Sequence, residues 1–425
     1  MAELIRLRWN PAVTSGLSRK DRQGCEYEAY VPDPLGKREF RLDGRSAADV
    51  TDTELAIARL NSEVSTLADS EALARLLLRA EAVASSKIEG LEVGGRRLLK
   101  AQLASGLVDA PPDVTATEVL NNIDAMNWAV DALAHEPSVT VDGLLRVHEL
   151  LLADTRLEQH GGQLRKAQNW IGGSDYNPCS AAFVPPPHER VRELLKDLCR
   201  FCNSDMLPAV AQAAIAHAQF ETIHPFVDGN GRTGRALIHV ILRRRGLAPR
   251  FVPPISLVLA THADAYITGL ERTRYDASPD SPEAIDAINE WIAFFAAACR
   301  RAVADAEQFE QRVIELQIAW RSRLGGVRRN SALALLLDAI PGAPIMTVQS
   351  AAALVGRSVQ AVNEAIPRLV EADVLRQTTV GKRNRAFEAT ELIDSFTALE
   401  RQLASPDADT RISPPSRRVP QSPRT

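Results

Sequence analysis

Apolar residues recur at three- and four-residue intervals along most of this chain, and this spacing is the feature that most restricts its fold. In residues 53–67 and 71–88, Leu, Ala, Val and Ile keep to this spacing with little interruption. It places apolar side chains on one face of a helix, and such a helix has to pack on others. The sequence therefore predicts a mainly α-helical fold. The same spacing predicts further helices at residues 115–133, 141–152, 191–201, 208–222, 232–245 and 282 to about 320.

The composition is that of a globular chain with more than one folded unit. At 425 residues the chain exceeds the usual size of a single core, so we expect two or three units. Hydrophobic residues make up 45% and charged residues 24%, with a net charge of −4, which argues against a wholly basic nucleic-acid binder and a disordered chain. No apolar stretch has the length of a signal peptide or a membrane span, so we expect a cytoplasmic location and no membrane partner.

The five cysteines are expected to be reduced. Cys199 and Cys202 have CxxC spacing, but the chain has no second such pair that would complete a zinc site. Both lie in an apolar stretch with helical spacing, which favours buried thiols over a redox or zinc site. We interpret all five as reduced and structural.

Two stretches break the helical pattern. Residues 1 to about 50 mix Gly, Pro and charged residues without a sustained period, which predicts an irregular or partly extended lead-in. Residues 161–187 contain paired glycines and a triple proline around two short apolar runs, at 169–171 and 181–184. Two brief strands joined by a loop, a β-hairpin, fit this pattern better than a helix.

The pattern changes again after residue 321. Three short helices are followed by two strand-like runs around a basic tip, which is the order of a winged helix-turn-helix. From about residue 405 the chain is rich in Pro, Ser and Arg and has little apolar content, which predicts disorder. The predicted helices are 331–340, 348–355 and 359–372, and the predicted strands are 374–379 and 385–389.

The strongest chemical signal is the run HPFVDGNGRTGR, from His224 to Arg235. It lies between two predicted helices, so Asp228 to Gly231 should form the loop that opens the second helix. The first amides of a helix lack intrahelical partners and carry the positive end of its dipole, and glycine lets the backbone wrap around phosphate oxygens. We therefore interpret this loop as anion-binding. It is not a P-loop, since GxxxxGK(S/T) is absent, and it is not a dinucleotide fingerprint, since no strand precedes it.

Four side chains around this loop suit nucleotidyl transfer. Arg232 and Arg235 lie near one face of the first helical turn and can bind phosphate oxygens in bidentate fashion. Asp228 supplies the hard oxygen ligand that Mg²⁺ prefers, and His224 can take a proton from an attacking hydroxyl. Each residue alone would more often be structural or solvent-exposed, but their occurrence together predicts a phosphate-handling site.

This run resembles the motif of the Fic family, HxFx(D/E)GNGRxxR, at every specified position. Residues 161–187 are similar to the family's flap, residues from about 115 to 300 to its helical core, and the last folded unit to a winged helix often appended to it. Membership implies a protein adenylyltransferase, which transfers AMP from ATP onto a Tyr, Ser or Thr hydroxyl of a protein, including itself. Phosphate-transferring relatives carry Lys at the position of Gly231, so the glycine favours nucleotide transfer.

The resemblance also implies roles for individual residues. His224 would be the catalytic base and Asp228 the Mg²⁺ ligand. Flap residues near Ile171 and Gly172 would lie at the nucleotide site and hold the target protein by strand addition, and Tyr266 would contact the adenine. The residues that would bind the phosphates of ATP are Gly229, Asn230, Gly231, Arg232 and Arg235.

A second run, SSKIEG from Ser85 to Gly90, resembles the family's inhibitory helix pattern (S/T)xxxE(G/N). In that family the glutamate, here Glu89, pairs with the second arginine of the catalytic motif, here Arg235, and blocks productive binding of the γ-phosphate. A carboxylate at this point would occupy the arginine and repel a triphosphate. The alternatives are a capping box formed by Ser86 and Glu89, and a glutamate that is simply solvated.

Three alternatives to autoinhibited AMP transfer stay open. Glu89 could position a water molecule that removes AMP from a modified protein, either as the main activity or beside the transfer. Another nucleotide could replace ATP. The winged helix could bind DNA as part of a regulator, although Glu364, Glu371 and Asp373 lie nearby. The side chains that would contact DNA are Gln360, Asn363, Arg368, Lys382, Arg383 and Arg385.

The chain therefore divides into five expected segments, and its oligomeric state is left open. They are an N-terminal region with the inhibitory helix (1–110), a Fic core (111–300), a linker helix (301–328), a winged helix (329–395) and a disordered tail (404–425).

Overall fold

The computed structural model describes residues 2–11, 16–62, 70–104, 113–380 and 384–403. Most of these residues are helical, as predicted, and the helices enclose one large apolar core. The helices are α1 (Gly44–Ser62), α2 (Ser70–Ile88), α3 (Gly95–Ala104), α4 (Val114–Asp131), α5 (Val141–Leu152), α6 (His188–Cys202), α7 (Ala209–Ile223), α8 (Asn230–Arg244), α9 (Ile255–Thr261), α10 (Ala263–Arg272), α11 (Pro282–Leu324), α12 (Ala332–Ala339), α13 (Val348–Val355), α14 (Val359–Glu371) and α15 (Thr390–Leu403). The strands are β1 (Glu3–Trp9), β2 (Cys25–Val31), β3 (Ile345–Met346), β4 (Arg376–Val380) and β5 (Asn384–Glu388).

The helices α7 and α8 lie at the centre of the core, and the loop between them carries the predicted catalytic motif, His224 to Arg235. All residues of α7 are buried, and many of them are alanine, which lets neighbouring helices approach closely. The long helix α11 starts at Ser281, whose hydroxyl accepts a hydrogen bond from the Ala284 amide. It packs against α1, α7, α9 and α15, so the predicted boundary at residue 300 falls inside one continuous helix.

The predicted inhibitory helix corresponds to α2. It packs against α4, α8 and α9, and this arrangement brings its C-terminal end to the start of α8. Its N-terminal half contacts the short turn Ile340–Gly342, which connects α12 to β3. One helix therefore touches both the catalytic motif and the C-terminal unit.

The N-terminal lead-in contains a hairpin that the sequence did not reveal. The strands β1 and β2 pair in antiparallel fashion, with Glu3 opposite Val31. The prediction of an irregular or partly extended segment missed it because charged residues on both strands interrupt the apolar alternation. Arg6, for example, donates from Nε to Oε1 of Glu28 across the two strands over 2.9 Å.

Cys25 and Cys179 form a disulfide, with Cα atoms 5.7 Å apart. The prediction that all cysteines are reduced is therefore wrong for these two. Packing of the hairpin on the segment before α6 brings them together, for example where the Tyr30 amide donates to the Val184 carbonyl over 2.9 Å. Their separation along the sequence is too large for a spacing rule to detect. The free cysteines of the described residues are buried thiols: Cys199, Cys202 and Cys299.

The C-terminal unit has the element order predicted for a winged helix. The helices α12, α13 and α14 are followed by the β4–β5 hairpin, and the sheet order is β3-β5-β4. The tip at residues 381–383, which includes Lys382 and Arg383, and the tail at 404–425 lie outside the described residues. The helix α15 was not predicted, and it packs on α3, α9 and α11. Within the ranges described, no helix has the length and apolar character needed to cross a membrane.

Candidate active site

The loop between α7 and α8 has an unusual backbone conformation. His224, just after α7, has a φ of 48°, and Gly229, just before α8, has a φ of 76°. The left-handed region is unfavourable for a non-glycine residue by about 1–2 kcal/mol, so its surroundings have to stabilise it. Arg165 donates from Nε to the His224 carbonyl over 2.9 Å, and Asn169 donates from Nδ2 to the Phe226 carbonyl over 3.1 Å. These contacts hold the backbone that carries the His224 side chain.

Asn230 closes the same loop from within. Its Oδ1 accepts from the Phe226 amide over 2.8 Å, and its Nδ2 donates to the Phe226 carbonyl over 3.0 Å. Gly229 is required beside it, because a Cβ there would lie 2.7 Å from Cδ2 of Leu151 and would need the same positive φ. Asn230 is buried, so it supports the loop, while the amides at the start of α8 are the groups suited to bind an anion.

His148 of α5 supports the loop from the other side. Its Nδ1 accepts from the Gly162 amide over 3.2 Å, so its Nε2 carries the proton donated to the Asp228 carbonyl over 3.0 Å. The ring stacks on Phe226 with centroids 3.7 Å apart, and burial lowers the pKa of His148 to about 4. The loop is therefore held by a neutral imidazole at ordinary pH.

The His224 imidazole is suited to accept a proton. Burial, followed by the charge of Arg165, lowers the pKa of His224 to about 4. Its Nδ1 has no hydrogen-bond partner among the residues that the structure describes. At neutral pH the ring is thus uncharged, and a nitrogen lone pair is available for a hydroxyl proton.

Arg232 is the main unsatisfied cation of the site. Its Nη2 lies 3.6 Å from Oδ2 of Asp228, while its Nε and Nη1 are buried without a partner in the part of the chain described. Burial lowers the pKa of Arg232 from its ordinary value, but the guanidinium stays protonated. Buried donors without partners are unfavourable by about 1–3 kcal/mol each. An anion at the start of α8 would satisfy them.

Asp228 fits the role of a magnesium ligand. Its side chain is half exposed, and Oδ1 accepts from the Gly229 amide over 2.6 Å. Mg²⁺ commonly takes one or two carboxylates and completes its shell with phosphate oxygens and water, so one exposed carboxylate beside an anion site suits it. Across the described residues, no group of three or more His, Cys, Asp or Glu side chains forms a ready-made metal cage.

Arg235 is bound by Ser85 of α2 and by Glu89 just beyond the end of that helix. Its Nε donates to Oγ of Ser85 over 2.8 Å, and its Nη2 donates to the Ser85 carbonyl over 2.8 Å and to Oε1 of Glu89 over 2.7 Å. Burial alone would raise the pKa of Glu89, but Arg235 outweighs it and holds that pKa below the ordinary value. Glu89 is therefore ionised, and it fills the space beside Gly231, where a Cβ would overlap its Oε1. The structure brings the predicted inhibitory and catalytic motifs into direct contact.

Two segments of the chain match known protein families. Residues 138–242, which include the catalytic motif, match the Fic/DOC family, and residues 47–131, which include Glu89, match the Fic/DOC family N-terminal region. Both halves of the candidate site, the motif loop and the segment that carries Glu89, are thus similar to the Fic/DOC family.

Curated proteins are similar to this chain over part of their length. Protein adenylyltransferase fic-1 of Caenorhabditis elegans is 28% identical over 258 residues, which cover 57% of this chain and 47% of the relative. Protein adenylyltransferase Fic of Drosophila melanogaster is 31% identical over 161 residues, 37% of this chain and 30% of the relative. The chain thus spans less than half the length of these relatives. A Fic family protein from Desulfovibrio desulfuricans G20 has a similar fold, with a TM-score of 0.52, 21% identity and coverage of 82% of this chain and 97% of that one.

The Fic flap is less regular than predicted. Instead of two strands, residues 161–187 contain one antiparallel bridge, in which the Ile171 amide donates to the Phe183 carbonyl over 2.8 Å. Gly172 and Gly173 both have positive φ directly after Ile171 and turn the chain out of strand conformation. The segment then makes a helical turn at Pro178–Ser180. The bridge lies where the predicted hairpin would hold Ile171 and Gly172, and their contact with nucleotide or target stays a prediction.

Tyr266 lies beneath the Fic motif on α10 and is buried. Its hydroxyl lies 2.8 Å from Nε2 of His217, and burial raises its pKa. Nδ1 of His217 lies 3.9 Å from Oε1 of Glu221, whose pKa burial raises to about 7. The predicted contact between Tyr266 and adenine is not tested by this arrangement and stays a prediction.

Sequence reasoning missed the supports of the Fic loop. Arg165, Asn169 and His148 act through backbone carbonyls of the motif, and none belongs to a recognisable pattern with it. The available signal was weak: an arginine and an amide within the irregular stretch 161–187, and a histidine on the apolar face of a predicted helix. A buried polar residue of this kind needs a partner, but sequence alone does not say which one.

Proposed function

We propose that this chain is a protein adenylyltransferase that transfers AMP from ATP onto a Tyr, Ser or Thr hydroxyl of a protein, including itself, and that Glu89 inhibits it. The observation that carries the proposal is the unequal state of the two motif arginines. Among the described residues, Arg232 has buried N–H groups without partners beside a neutral His224, whereas Arg235 is bound by Glu89. The names of the curated relatives support the same activity.

Phosphate binding follows from the groups at the start of α8. The helix amides and the Arg232 guanidinium supply positive charge that is already in place, so little reorganisation is needed as negative charge builds up on the phosphates. Asp228 would hold Mg²⁺, and the ion would supply positive charge that neutralises phosphate oxygens. Arg235 would bind the γ-phosphate once Glu89 has left it.

The reaction that fits these groups is an in-line displacement at the α-phosphorus. The hydroxyl oxygen of the target forms a bond to that phosphorus, and the bond from the α-phosphorus to the oxygen bridging the α- and β-phosphates breaks, so that pyrophosphate leaves. The hydroxyl proton moves to the unprotonated ring nitrogen of the neutral His224 imidazole. Because the loop supports fix His224 and α8 relative to each other, positioning and charge stabilisation supply most of the rate gain.

Incubation with ATP labelled at the α-phosphate tests the proposal. We expect weak self-labelling by the wild type, strong labelling by Glu89→Gly, and none by the double variant Glu89→Gly/His224→Ala. Glu92→Gly, which changes an exposed glutamate just beyond the inhibitory motif, is the matched control and should behave as the wild type. Mass spectrometry with ATP, UTP, GTP and CTP would identify the nucleotide. Labelling of the double variant, or an adduct other than AMP, would contradict the proposal.

Removal of AMP is the second candidate function. Glu89 supports it, because its ionised side chain is about a third exposed (36%) beside the phosphate site and could orient a water molecule there. Purified AMP-modified target incubated with wild type and Glu89→Gly separates the two. Loss of AMP with the wild type alone would indicate the reverse activity, and loss with neither would exclude it.

DNA binding by the C-terminal unit is a separate proposal, which the exposed Gln360, Asn363 and Arg368 on α14 support. A gel shift at defined salt with Arg368→Ala tests it, and an unchanged shift would contradict a role for α14. We also propose a cytoplasmic location, because the reaction consumes ATP. The cytoplasm keeps thiols reduced, so there the disulfide would form only under oxidising conditions.

A further inference from the structure

A fully buried polar cluster joins α2 to α8 and α9 one helical turn away from the Ser85–Arg235 contact. Glu81 of α2 lies with Oε1 2.8 Å from Nε2 of His239 on α8, a close contact without hydrogen-bond geometry within the described residues, and neither side chain has any exposed surface. The same carboxylate accepts from the Ser256 amide of α9 over 2.7 Å and from its hydroxyl over 2.5 Å. No step of the proposed reaction uses these groups, and a buried carboxylate is unfavourable unless it has such partners.

The cluster has a regular position relative to the active site. On α2, Glu81 and Ser85 are four residues apart and so share one face, and Glu89 follows four residues later, one residue beyond the end of the helix. On α8, His239 and Arg235 are also four residues apart and run in the opposite direction. Glu81 meets His239, while Ser85 and Glu89 both meet Arg235.

We infer that the contact between Glu81 and His239 sets the register of α2 on α8 and thereby positions Glu89 on Arg235. This inference rests on the proposed inhibition by Glu89. A slip of α2 by one turn would move Glu89 by about 5.4 Å, which breaks its hydrogen bond to Arg235. The contact of Ser85 with Arg235 cannot alone prevent this, because it uses the same arginine that a phosphate would compete for. Glu81 is anchored away from the phosphate site and is independent of nucleotide.

The helix α8 is held more firmly by the rest of the fold than the C-terminal end of α2, which carries Glu89. The helix α8 lies at the centre of the core, whereas Glu89 lies one residue beyond the end of α2. Asn122 of α4 holds another face of α2, since its Nδ2 donates to the Ala82 carbonyl over 2.7 Å and to Oγ of Ser86 over 3.0 Å. Glu81 is thus a positioning residue for the inhibitory contact, and it has no contact with the reacting atoms.

The test compares Glu81→Gln and His239→Gln in two backgrounds, wild type and Glu89→Gly. Glutamine keeps the size of Glu81 but removes its charge, and its amide nitrogen cannot accept the hydrogen bonds from Ser256. We expect Glu81→Gln to raise self-labelling at least about five-fold in the wild-type background, within the usual range of coupling between sites. In the Glu89→Gly background the same change should leave the rate within about two-fold. Glu71→Gln, on the exposed part of the same helix, should change neither.

Affinity for a non-transferable ATP analogue, measured by calorimetry, separates this inference from the proposed function. If Glu89→Gly gave no labelling at all, the proposed function would fail, yet Glu81→Gln should still bind the analogue more tightly and exchange its amides around Glu89 faster. Equal effects of Glu81→Gln in both backgrounds would assign it to general stability and overturn the inference. The inference would also be overturned if Glu81→Gln changed neither the self-labelling nor the affinity for the analogue. If Glu81→Gln does not fold, the same outcomes can be tested with His239→Gln and with Ser256→Ala. The second variant removes the Ser256 hydroxyl but keeps the contact of its amide with Glu81.

Discussion

Replacement of Glu89 should strengthen nucleotide binding by an amount that the structure allows us to estimate. Glu89 accepts one hydrogen bond from Nη2 of the buried Arg235, and its own side chain is 36% exposed. A hydrogen bond between charged groups contributes about 1.5–3 kcal/mol, and partial exposure places this pair near the lower end. A phosphate that binds Arg235 has to displace this contact. Glu89→Gly should therefore make the binding free energy of an ATP analogue more favourable by about 1.4–2 kcal/mol, which lowers its Kd about 10- to 30-fold.

The assay is calorimetric titration with a non-transferable ATP analogue at fixed Mg²⁺. Glu89→Gln gives the intermediate point of the series, because it keeps an acceptor for Arg235 but removes the charge that repels phosphate. We expect the affinity to rise from wild type through Glu89→Gln to Glu89→Gly, with Glu92→Gly equal to the wild type. If the three Glu89 forms bound the analogue equally, Glu89 would not compete with phosphate, and the inhibitory role would have to be abandoned.

Four further results are expected. In the Glu89→Gly background, His224→Ala should abolish labelling but leave the analogue Kd within about two-fold, and a large loss of affinity would show that His224 serves binding. Arg232→Gln should weaken binding of the analogue by about tenfold or more, because it removes buried donors that have no partner in the described part of the chain; an unchanged Kd would contradict the anion site. Cys25→Ser should lower the unfolding free energy by about 2–5 kcal/mol under oxidising conditions only, since the disulfide with Cys179 closes a loop of 154 residues, and equal stability would show that the disulfide does not form. Because the folded pKa of Glu89 is lowered, its contact is lost only as pH falls through that value, so the ratio of Glu89→Gly to wild-type labelling should stay constant from pH 8 to about 5. If the ratio decreased as the pH falls from 8 to about 5, the inhibitory group would have a pKa above the ordinary range of a glutamate.

Local periodicity was sufficient for the helices whose ends carry their own signals. Predicted and observed bounds agree for α5 and α13, where Thr140 and Thr347 cap the helices through their hydroxyls. The adjoining helices α9 and α10 were missed because both are short and a pair of prolines directly precedes them. The β1–β2 hairpin was missed because its strands carry charge pairs in place of an apolar alternation.

The loop could be proposed as a candidate site because its residues of suitable chemistry are consecutive in the sequence. Its supports could not be, since Arg165 and His148 bind backbone carbonyls of the loop, and a carbonyl carries no sequence information. The disulfide and the flap show the same limit. Cys179 is paired because the N-terminal hairpin packs on its segment, and Ile171 forms a bridge only as far as the glycines after it permit.

Glu81 and Glu89 lie eight residues apart on the same helical segment, but only Glu89 could be recognised from the sequence. Glu89 could be recognised because it belongs to a short motif whose partner, Arg235, belongs to another. Glu81 has no motif, and its importance depends on the antiparallel packing of α2 on α8, which only the folded chain defines. Under the inference above, Glu89 therefore inhibits only if a second, buried carboxylate, Glu81, fixes the helix. An inhibitory motif found in a sequence is then not sufficient evidence of inhibition, because the same hexapeptide on a helix that can slip by one turn would leave Arg235 free.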